Sequence, residues 1–259
     1  MMKSNIYWLK MLCLALAFMI AGCSDDDGNE VEPEEEIVLP DPTFSFGTDS
    51  DSTELDFELI GDPELRGDNA YVFNATDEDN GCGQIGGDYI KLDTLGAIWE
   101  KGFSIAAWVE FQEERYFERI VDLGNGWGEH GGMNISFSRL ARSNSLALTS
   151  WIDTDSTTNR EKGRLIARDV IVNNKMMHYA ASISPSGEMK IYINGELAAE
   201  KADGHPVANV QRNKNYIGHS NWCQLDPDFK GVMKGIYLFN KPITSGEVKA
   251  LYQKGSSTE

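Results

Sequence analysis

The stretch FSIAAWVEF, residues 103–111, gives the clearest indication of the fold. One of its two faces carries only apolar side chains, those of Phe103, Ile105, Ala107, Val109 and Phe111. An apolar face that repeats every two residues predicts a β-strand that packs against a core. The fold class therefore depends on how far the same pattern extends along the chain.

Similar short apolar runs, separated by turn residues, occur on both sides of this strand. They lie at 70–74, 88–92, 119–123, 134–137, 146–152, 165–167, 178–183, 189–193, 215–218 and 232–239. Asn194-Gly195 follows one of these runs and predicts a type I′ hairpin turn, after which Leu197 resumes the pattern. About a dozen short strands without alternating helices predict an all-β sandwich of two antiparallel sheets.

The sequence predicts one short helix, over residues 245–253. Thr244 and Glu247 have the spacing of a capping box, in which each side chain accepts a hydrogen bond from the other residue's backbone N–H. Val248 and Leu251 then provide an apolar stripe at helical spacing. The 259 residues, 41% of them hydrophobic, can form one large core and exclude a collagen-like or wholly disordered chain.

Several motifs resemble those of laminin-G-like domains and occur in the same order. They are FSIAAWV from residue 103, MHYA from 177, KIYING from 190, FKG from 229, and ITSGE from 243 with the following Leu251-Tyr252. The chain is thus similar to the concanavalin A-like lectin/glucanase superfamily over residues 54–254. This resemblance implies a jelly-roll sandwich of two curved antiparallel sheets with one short C-terminal helix. The superfamily contains lectins, adhesion modules and glycosidases, so the resemblance leaves the function open.

The N-terminus has the pattern of an export signal. Ten apolar residues, 11–20, follow Lys3 and Lys10; this run is too short to span a bilayer and is typical of a signal peptide. The sequence IAGC, ending at Cys23, resembles the lipobox of bacterial lipoproteins. We therefore expect cleavage before Cys23 and a lipid on its thiol, the alternative being an ordinary secretory signal. Such a signal argues against a cytoplasmic enzyme.

The segment after the signal is strongly acidic. Residues 24–65 contain 16 Asp or Glu and no Lys or Arg, in a chain of net charge −18. This composition predicts a solvated tether, and it resembles the acidic signals of Bacteroidetes surface lipoproteins. We expect a lipoprotein signal peptide at 1–22, an acidic flexible tether at 23–50 and the concanavalin A-like domain at 51–259. The expected location is the outer membrane, facing the cell exterior and held there by the lipid. A nucleic-acid partner is disfavoured because phosphate contacts need a basic face.

The mature domain retains two cysteines besides the lipid site. Cys82 and Cys223 are expected to form a disulfide, since two cysteines in an exported protein most simply pair. Two free thiols are the alternative.

Tryptophans in polar loops suggest a site for a polysaccharide or other glycan. Aromatic rings stack on the apolar face of a sugar, while nearby amides and acids bind its hydroxyl groups. The candidate residues are Trp127, Glu129, His130, Trp151, Asn221, Trp222, Gln224 and Asp226. Packing at the rim of the sandwich is the alternative for each tryptophan. The sequence thus favours a non-catalytic carbohydrate-binding protein.

A second interpretation is a glycosidase that uses Glu54, Asp56 and Glu58. On a strand these three carboxylates share one face, and a retaining glycosidase needs two carboxyl groups about 5–5.5 Å apart. The E-x-D-x-E string resembles that of laminarinase-type β-glucanases, where it lies mid-chain rather than at the start of the domain. We expect it here to form a solvent-exposed outer face, with the alternate apolar residues buried behind it: Leu55, Phe57 and Leu59.

The sequence shows no other enzyme signature, and it predicts no cofactor and no metal site. The segment DEDNG, residues 77–81, offers oxygen ligands for a structural calcium ion, but its glycine is one place early for an EF-hand-like loop. Lys234 also stands where laminin-G-like domains often have an aspartate that serves calcium. A third class of function, an adhesion or scaffold module that binds protein, would use a flat apolar patch.

Overall fold

A computed structural model describes residues 37–48, 55–75, 87–126, 133–151, 157–222 and 226–256. The elements are β1 Phe44–Phe46, β2 Phe57–Ile60, β3 Glu64–Arg66, β4 Ala70–Phe73, β5 Tyr89–Leu92, β6 Phe103–Phe111, β7 Arg119–Gly124, β8 Ile135–Arg139, β9 Leu146–Ser150, α1 Thr157–Lys162, β10 Arg164–Ala167, β11 Met177–Ile183, β12 Met189–Ile193, β13 Glu196–Lys201, β14 Lys214–Ile217, β15 Gly231–Phe239 and α2 Ser245–Ser256.

Two antiparallel sheets form the domain, as predicted. The first sheet has the order β13-β12-β11-β6-β15-β4-β3, with β1 also paired to β15. The second sheet has the order β10-β9-β8-β7-β14-β5-β2. Consecutive strands mostly pair within a sheet, while β14 and β15 return late in the chain to the middle of each one. This arrangement confirms the all-β jelly-roll class.

The main core lies between the two sheets. The five apolar residues on one face of β6 are all fully buried, and they belong to one core cluster with residues of the second sheet, including Phe137 and Leu148. The predicted inward face of β6 is therefore confirmed. The hairpin between β12 and β13 is confirmed too, because Asn194 and Gly195 have φ values of 50° and 85°, as a type I′ turn requires.

Helix α2 begins with the predicted capping box. The Thr244 backbone N–H donates to Glu247 Oε2 at 2.6 Å, and the Glu247 N–H donates to Thr244 Oγ1 at 3.2 Å. Its apolar stripe, Val248 and Leu251, is buried against the outer face of the first sheet. The Trp108 ring, on the same face, stacks on Tyr252 at 5.4 Å between centroids. No helix in the described ranges is long and apolar enough to cross a membrane.

The first described residues also lie at α2. Leu39 packs against the apolar cluster beneath the helix. Ile37 lies so close to Gly246 that a methyl group added there would approach its Cδ1 to 3.0 Å. The chain therefore enters the domain on the outer side of the first sheet.

Three features differ from the sequence-based expectation. Strand β1 lies in the segment assigned to the tether, because the alternating Phe44 and Phe46 are buried and pair with β15. The described sandwich thus begins before residue 51. The expectation that Phe57 and Leu59 are buried is wrong: they are 38% and 40% exposed, since β2 is an edge strand and β5 is its one partner among the described strands. Finally, α1 is a second short helix that the sequence did not predict.

Candidate functional site

A pocket of about 330 Å³ opens on the outer face of the second sheet, above β7, β8, β9 and β10. Its floor consists of small side chains, those of Ser136, Ser138, Ala147 and Thr149. Because side chains alternate along a strand, these residues point outward while their neighbours enter the core. The volume lies in the range of small-molecule and sugar sites.

Two tryptophans form part of the pocket wall. Trp151 follows β9 and is held by its backbone N–H, which donates to the Asn134 carbonyl oxygen at 3.0 Å. Trp222 comes from the loop after β14. The two rings meet edge to face, with centroids 4.8 Å apart and an interplanar angle of 77°. Both indoles are half-buried, so the pair offers apolar surface to a ligand. We call this site the tryptophan pocket.

Three arginines line the tryptophan pocket. Arg119 comes from β7, Arg160 from α1 and Arg164 from β10. The guanidinium carbons of Arg160 and Arg164 each lie 5.8 Å from the centre of the Trp151 ring, within the range of cation–π contact. Cationic groups and aromatic rings are thus combined in one small space.

Arg119 is bound by two carboxylates. Its Nε donates to Asp122 at 2.9 Å and a terminal nitrogen donates to Asp226 at 2.5 Å. Burial raises the pKa of Asp226 to about 6, and the charge of Asp122 raises it too, while Arg119 and a hydrogen bond from Ser220 oppose the shift. Asp226 therefore loses its negative charge as the pH falls through about 6, which makes the pocket more positive in mild acid.

Asn221 holds the loop that carries Trp222. Its backbone N–H and its Nδ2 donate to the two carboxylate oxygens of Asp122 at 3.2 and 3.1 Å, and Nδ2 also reaches the Lys214 carbonyl oxygen at 2.9 Å. Its Oδ1 accepts from the Gly126 N–H at 2.9 Å. The buried Asn221 amide is therefore directed at protein groups and does not line the pocket.

The structure brings three of the predicted glycan-binding residues together, namely Trp151, Trp222 and Asp226. Other predicted residues lie outside the described part of the chain: Cys23, Glu54, Cys82, Trp127, Glu129, His130, Cys223 and Gln224. The sequence analysis missed the remaining lining residues, which are Tyr116, Phe117, Arg119, Ser136, Ser138, Ala147, Thr149, Arg160 and Arg164. Alternation around Ile135 and Phe137 could have placed the serines on an outer face, but nothing local marks the arginines as ligands.

The two described carboxylates of the glycosidase interpretation, Asp56 and Glu58, lie elsewhere. Asp56 and Glu58 are exposed, as expected, and Glu58 belongs to β2, at the opposite edge of the second sheet from β10. Glu58 pairs with Lys91 at 3.2 Å. Neither residue lines the tryptophan pocket.

A second aromatic cluster lies at β5 and β14, nearer to the β2 edge of the second sheet. The His219 ring stacks on Tyr89 at 4.4 Å and meets Tyr216 edge to face at 4.7 Å. Its Nδ1 is 2.5 Å from Asp228 Oδ1. Within the described ranges, no group of three or more His, Cys, Asp or Glu side chains could hold a metal ion.

Comparison with known proteins identifies the family. Residues 84–249, more than half of the chain, match the family described as the concanavalin A-like lectin/glucanases superfamily. The chain belongs to this superfamily. Its membership agrees with the two-sheet topology and with the motifs from FSIAAWV to ITSGE. No curated protein matches the chain.

Solved structures share the fold of this superfamily member at low identity. The receptor-binding domain of a botulinum neurotoxin C/D mosaic serotype is 16% identical, with a TM-score of 0.57, over 82% of this chain and 51% of that one. The ligand-binding domain of botulinum neurotoxin serotype D, in complex with N-acetylneuraminic acid, is 13% identical, with a TM-score of 0.57, over 82% and 50%. The chain spans about half the length of these domains. At such identities the likeness shows the fold.

Proposed function

We propose that the protein is a non-catalytic carbohydrate-binding protein and that the tryptophan pocket holds the glycan. The observation that carries this proposal is the edge-to-face pair of Trp151 and Trp222 above a floor of hydroxyl-bearing side chains. A sugar presents an apolar ring face and a rim of hydroxyl groups, which these two kinds of surface complement. Asp226 and the arginines add charged partners for the rim.

The comparisons support this proposal. The superfamily includes lectins by its own description. One neighbour of the same fold was solved with N-acetylneuraminic acid, a sugar. These similarities support a glycan as the ligand. The choice of site is supported by the residues that line the tryptophan pocket.

Binding without cleavage fits the charges of the described lining. Among the described residues that line the pocket, Asp226 is the one carboxylate, whereas a retaining glycosidase needs a pair.

The test is a glycan array probed with the intact protein in mild detergent, with the eluate analysed for released sugars. We expect retention of a glycan without products. Retention of nothing, or product formation, would contradict the proposal.

Glu58→Gln separates binding from the glycosidase interpretation. We expect this variant to retain glycans within about twofold of the wild type, because Glu58 lies outside the pocket and an exposed ion pair such as Glu58–Lys91 contributes little. Retention and sugar release are measured on the glycan that the array identifies. Release by the wild type that disappears in Glu58→Gln would establish the glycosidase instead.

We further propose that a lipid on Cys23 anchors the protein in the outer membrane, facing the exterior. The lipobox-like IAGC and the acidic segment after it support this location. Lipid chains bind a bilayer with about 0.8 kcal/mol per buried CH₂ group, so several chains on one cysteine provide a stable anchor.

Cys23→Ala tests the anchor. We expect this variant to move from the membrane fraction to the soluble fraction on ultracentrifugation after a salt wash. Cys13→Ala, a change inside the apolar run, serves as the matched control and should remain with the membranes. A Cys23→Ala protein that still pellets with membranes would show that the lipid proposal is wrong.

A further inference from the structure

The tryptophan pocket concentrates positive charge in an acidic protein. The chain has a net charge of −18, yet three of the residues around this one pocket are arginines. Arg119 is matched by the carboxylates of Asp122 and Asp226. Arg164, which also lines the pocket, stands in addition to that balanced group.

Arg164 has a buried nitrogen without a hydrogen-bond partner. Within the ranges that the structure describes, its Nε is buried and has no hydrogen-bond acceptor. It stands opposite Thr149 in the β9–β10 ladder, so it shares the face that lines the pocket. Buried polar groups are normally hydrogen-bonded, and an unpaired one raises the free energy of the folded protein.

The electrostatics at Arg164 point the same way. Its pKa is lowered by burial and, to a smaller extent, by the charges of Arg119 and Arg160. Each of these effects disfavours the cation, and the charge of an anion bound in the pocket offsets them. A ligand with a negative group therefore gains an interaction that a neutral ligand does not.

We propose that the tryptophan pocket selects glycans that carry an anionic group and that Arg164 binds this group. The inference rests on the proposed function, carbohydrate binding at this pocket. A sugar carboxylate and a sulfate ester share the required chemistry, because the planar guanidinium donates two parallel hydrogen bonds to paired oxygens.

The spacing of the pocket fits such a ligand. The Arg164 guanidinium carbon lies 5.8 Å from the centre of the Trp151 ring. A sugar ring seated against the tryptophans therefore brings a charged substituent at its edge within reach of Arg164. The indole Nε1 of Trp151 is also buried without an acceptor in the described part of the chain.

The experiment compares acidic glycans with their neutral counterparts on one array. Lactose, 3′-sialyllactose and 3′-sulfolactose share a core and differ in the acidic group, and uronic-acid oligosaccharides are paired with their methyl esters. We expect the intact protein to retain acidic members at least about tenfold better than their neutral partners, as charged hydrogen bonds allow. The sialyl, uronate and sulfate arms distinguish a carboxylate from a sulfate.

Variants then assign the effect to Arg164. Arg164→Gln should remove about tenfold of the affinity for the acidic member and change the affinity for the neutral member less than twofold. Arg164→Lys should restore part of the loss, because it keeps the charge but not the paired donors. Arg168→Gln, the loss of an exposed arginine outside the pocket, is the matched control and should bind like the wild type.

Two results would overturn the inference, and they are distinguishable from failure of the proposed function. Equal retention of acidic and neutral partners, with loss of both in a tryptophan variant, leaves carbohydrate binding intact and contradicts anion selection. An acidic preference that Arg164→Gln leaves unchanged contradicts the role of Arg164. Retention of no glycan of any kind contradicts the proposed function itself, and the inference falls with it.

Discussion

Replacing Arg139 by Met lowers the free energy of unfolding by about 3–5 kcal/mol, the usual cost of removing one partner from a buried ion pair. Arg139 ends β8 and is fully buried, and its Nε donates to Glu118 at 3.2 Å. Its terminal nitrogens donate to the Glu113 and Ser143 carbonyl oxygens and to the side-chain oxygens of Asn144 and Asn173. The methionine variant removes the donor from these acceptors and leaves the buried Glu118 carboxylate without its cation.

The loss of stability in Arg139→Met should depend on pH. Burial raises the pKa of Glu118 to about 7. The hydrogen bond from the Lys230 backbone N–H and the charge of Arg139 favour the carboxylate and oppose this shift. Since this pKa lies above the 4.5 of the unfolded chain, protonation of Glu118 stabilises the folded state in full below pH 4.5, and this contribution is lost as the pH rises from there through about 7. Without Arg139 the pKa rises further, so the loss of stability should be larger at pH 8.5 than at pH 5.5.

Urea unfolding at the two pH values measures the effect of Arg139→Met. Arg142→Met, an exposed neighbour in the following turn, is the control and should stay within about 0.5 kcal/mol of the wild type. Glu118→Gln combined with Arg139→Met should lose much of the pH dependence. Breaking a buried ion pair usually costs about 3 kcal/mol or more. If the free energy of unfolding of Arg139→Met alone stays within about 1 kcal/mol of the wild type at pH 8.5, the pair contributes little to stability.

Trp222→Ala weakens glycan binding by about 30- to 150-fold, equivalent to roughly 2–3 kcal/mol. The substitution removes one wall of the tryptophan pocket and the edge-to-face partner of Trp151. The apolar area that a bound sugar covers is lost together with the orientation of the remaining ring. Titration of the glycan that the array identifies, followed by calorimetry, measures the change.

Two further variants test whether the effect of Trp222→Ala belongs to the pocket. Trp222→Phe keeps an aromatic ring and should recover part of the affinity. Tyr89→Ala changes the second aromatic cluster on the same sheet, outside the tryptophan pocket, and should bind within about twofold of the wild type. If Tyr89→Ala abolishes binding while Trp222→Ala does not, the glycan site lies at the second cluster.

The sequence was sufficient for most of the fold because alternation reports directly on the two faces of a strand. β6 is the clearest case, with every second residue in the core. Alternation is less informative where a strand is short or lies at an edge. β1 is short and follows a strongly acidic stretch, so the sequence analysis assigns Phe44 and Phe46 to the tether. Phe57 and Leu59 alternate as a strand requires but remain exposed, since no described strand pairs with the outer side of β2.

The site was less predictable because it depends on which distant segments meet. Trp151 and Trp222 could each be recognised as aromatics in polar surroundings. Their contact arises only because β14 returns to pair with β7, two strands from β9 in the second sheet. Arg119 and Arg164 are the first residues of largely apolar strands, where a charged residue usually faces solvent, so only the assembled sheet shows that they converge.

The first described residue, Ile37, lies on a different face of the sandwich from the tryptophan pocket. The described chain enters beside α2, on the outer side of the first sheet, whereas the tryptophan pocket opens on the outer side of the second. In a sandwich these two sides are back to back. The described residues from 37 onward therefore leave the mouth of the tryptophan pocket uncovered, and long or branched glycans can extend from it without meeting this first segment.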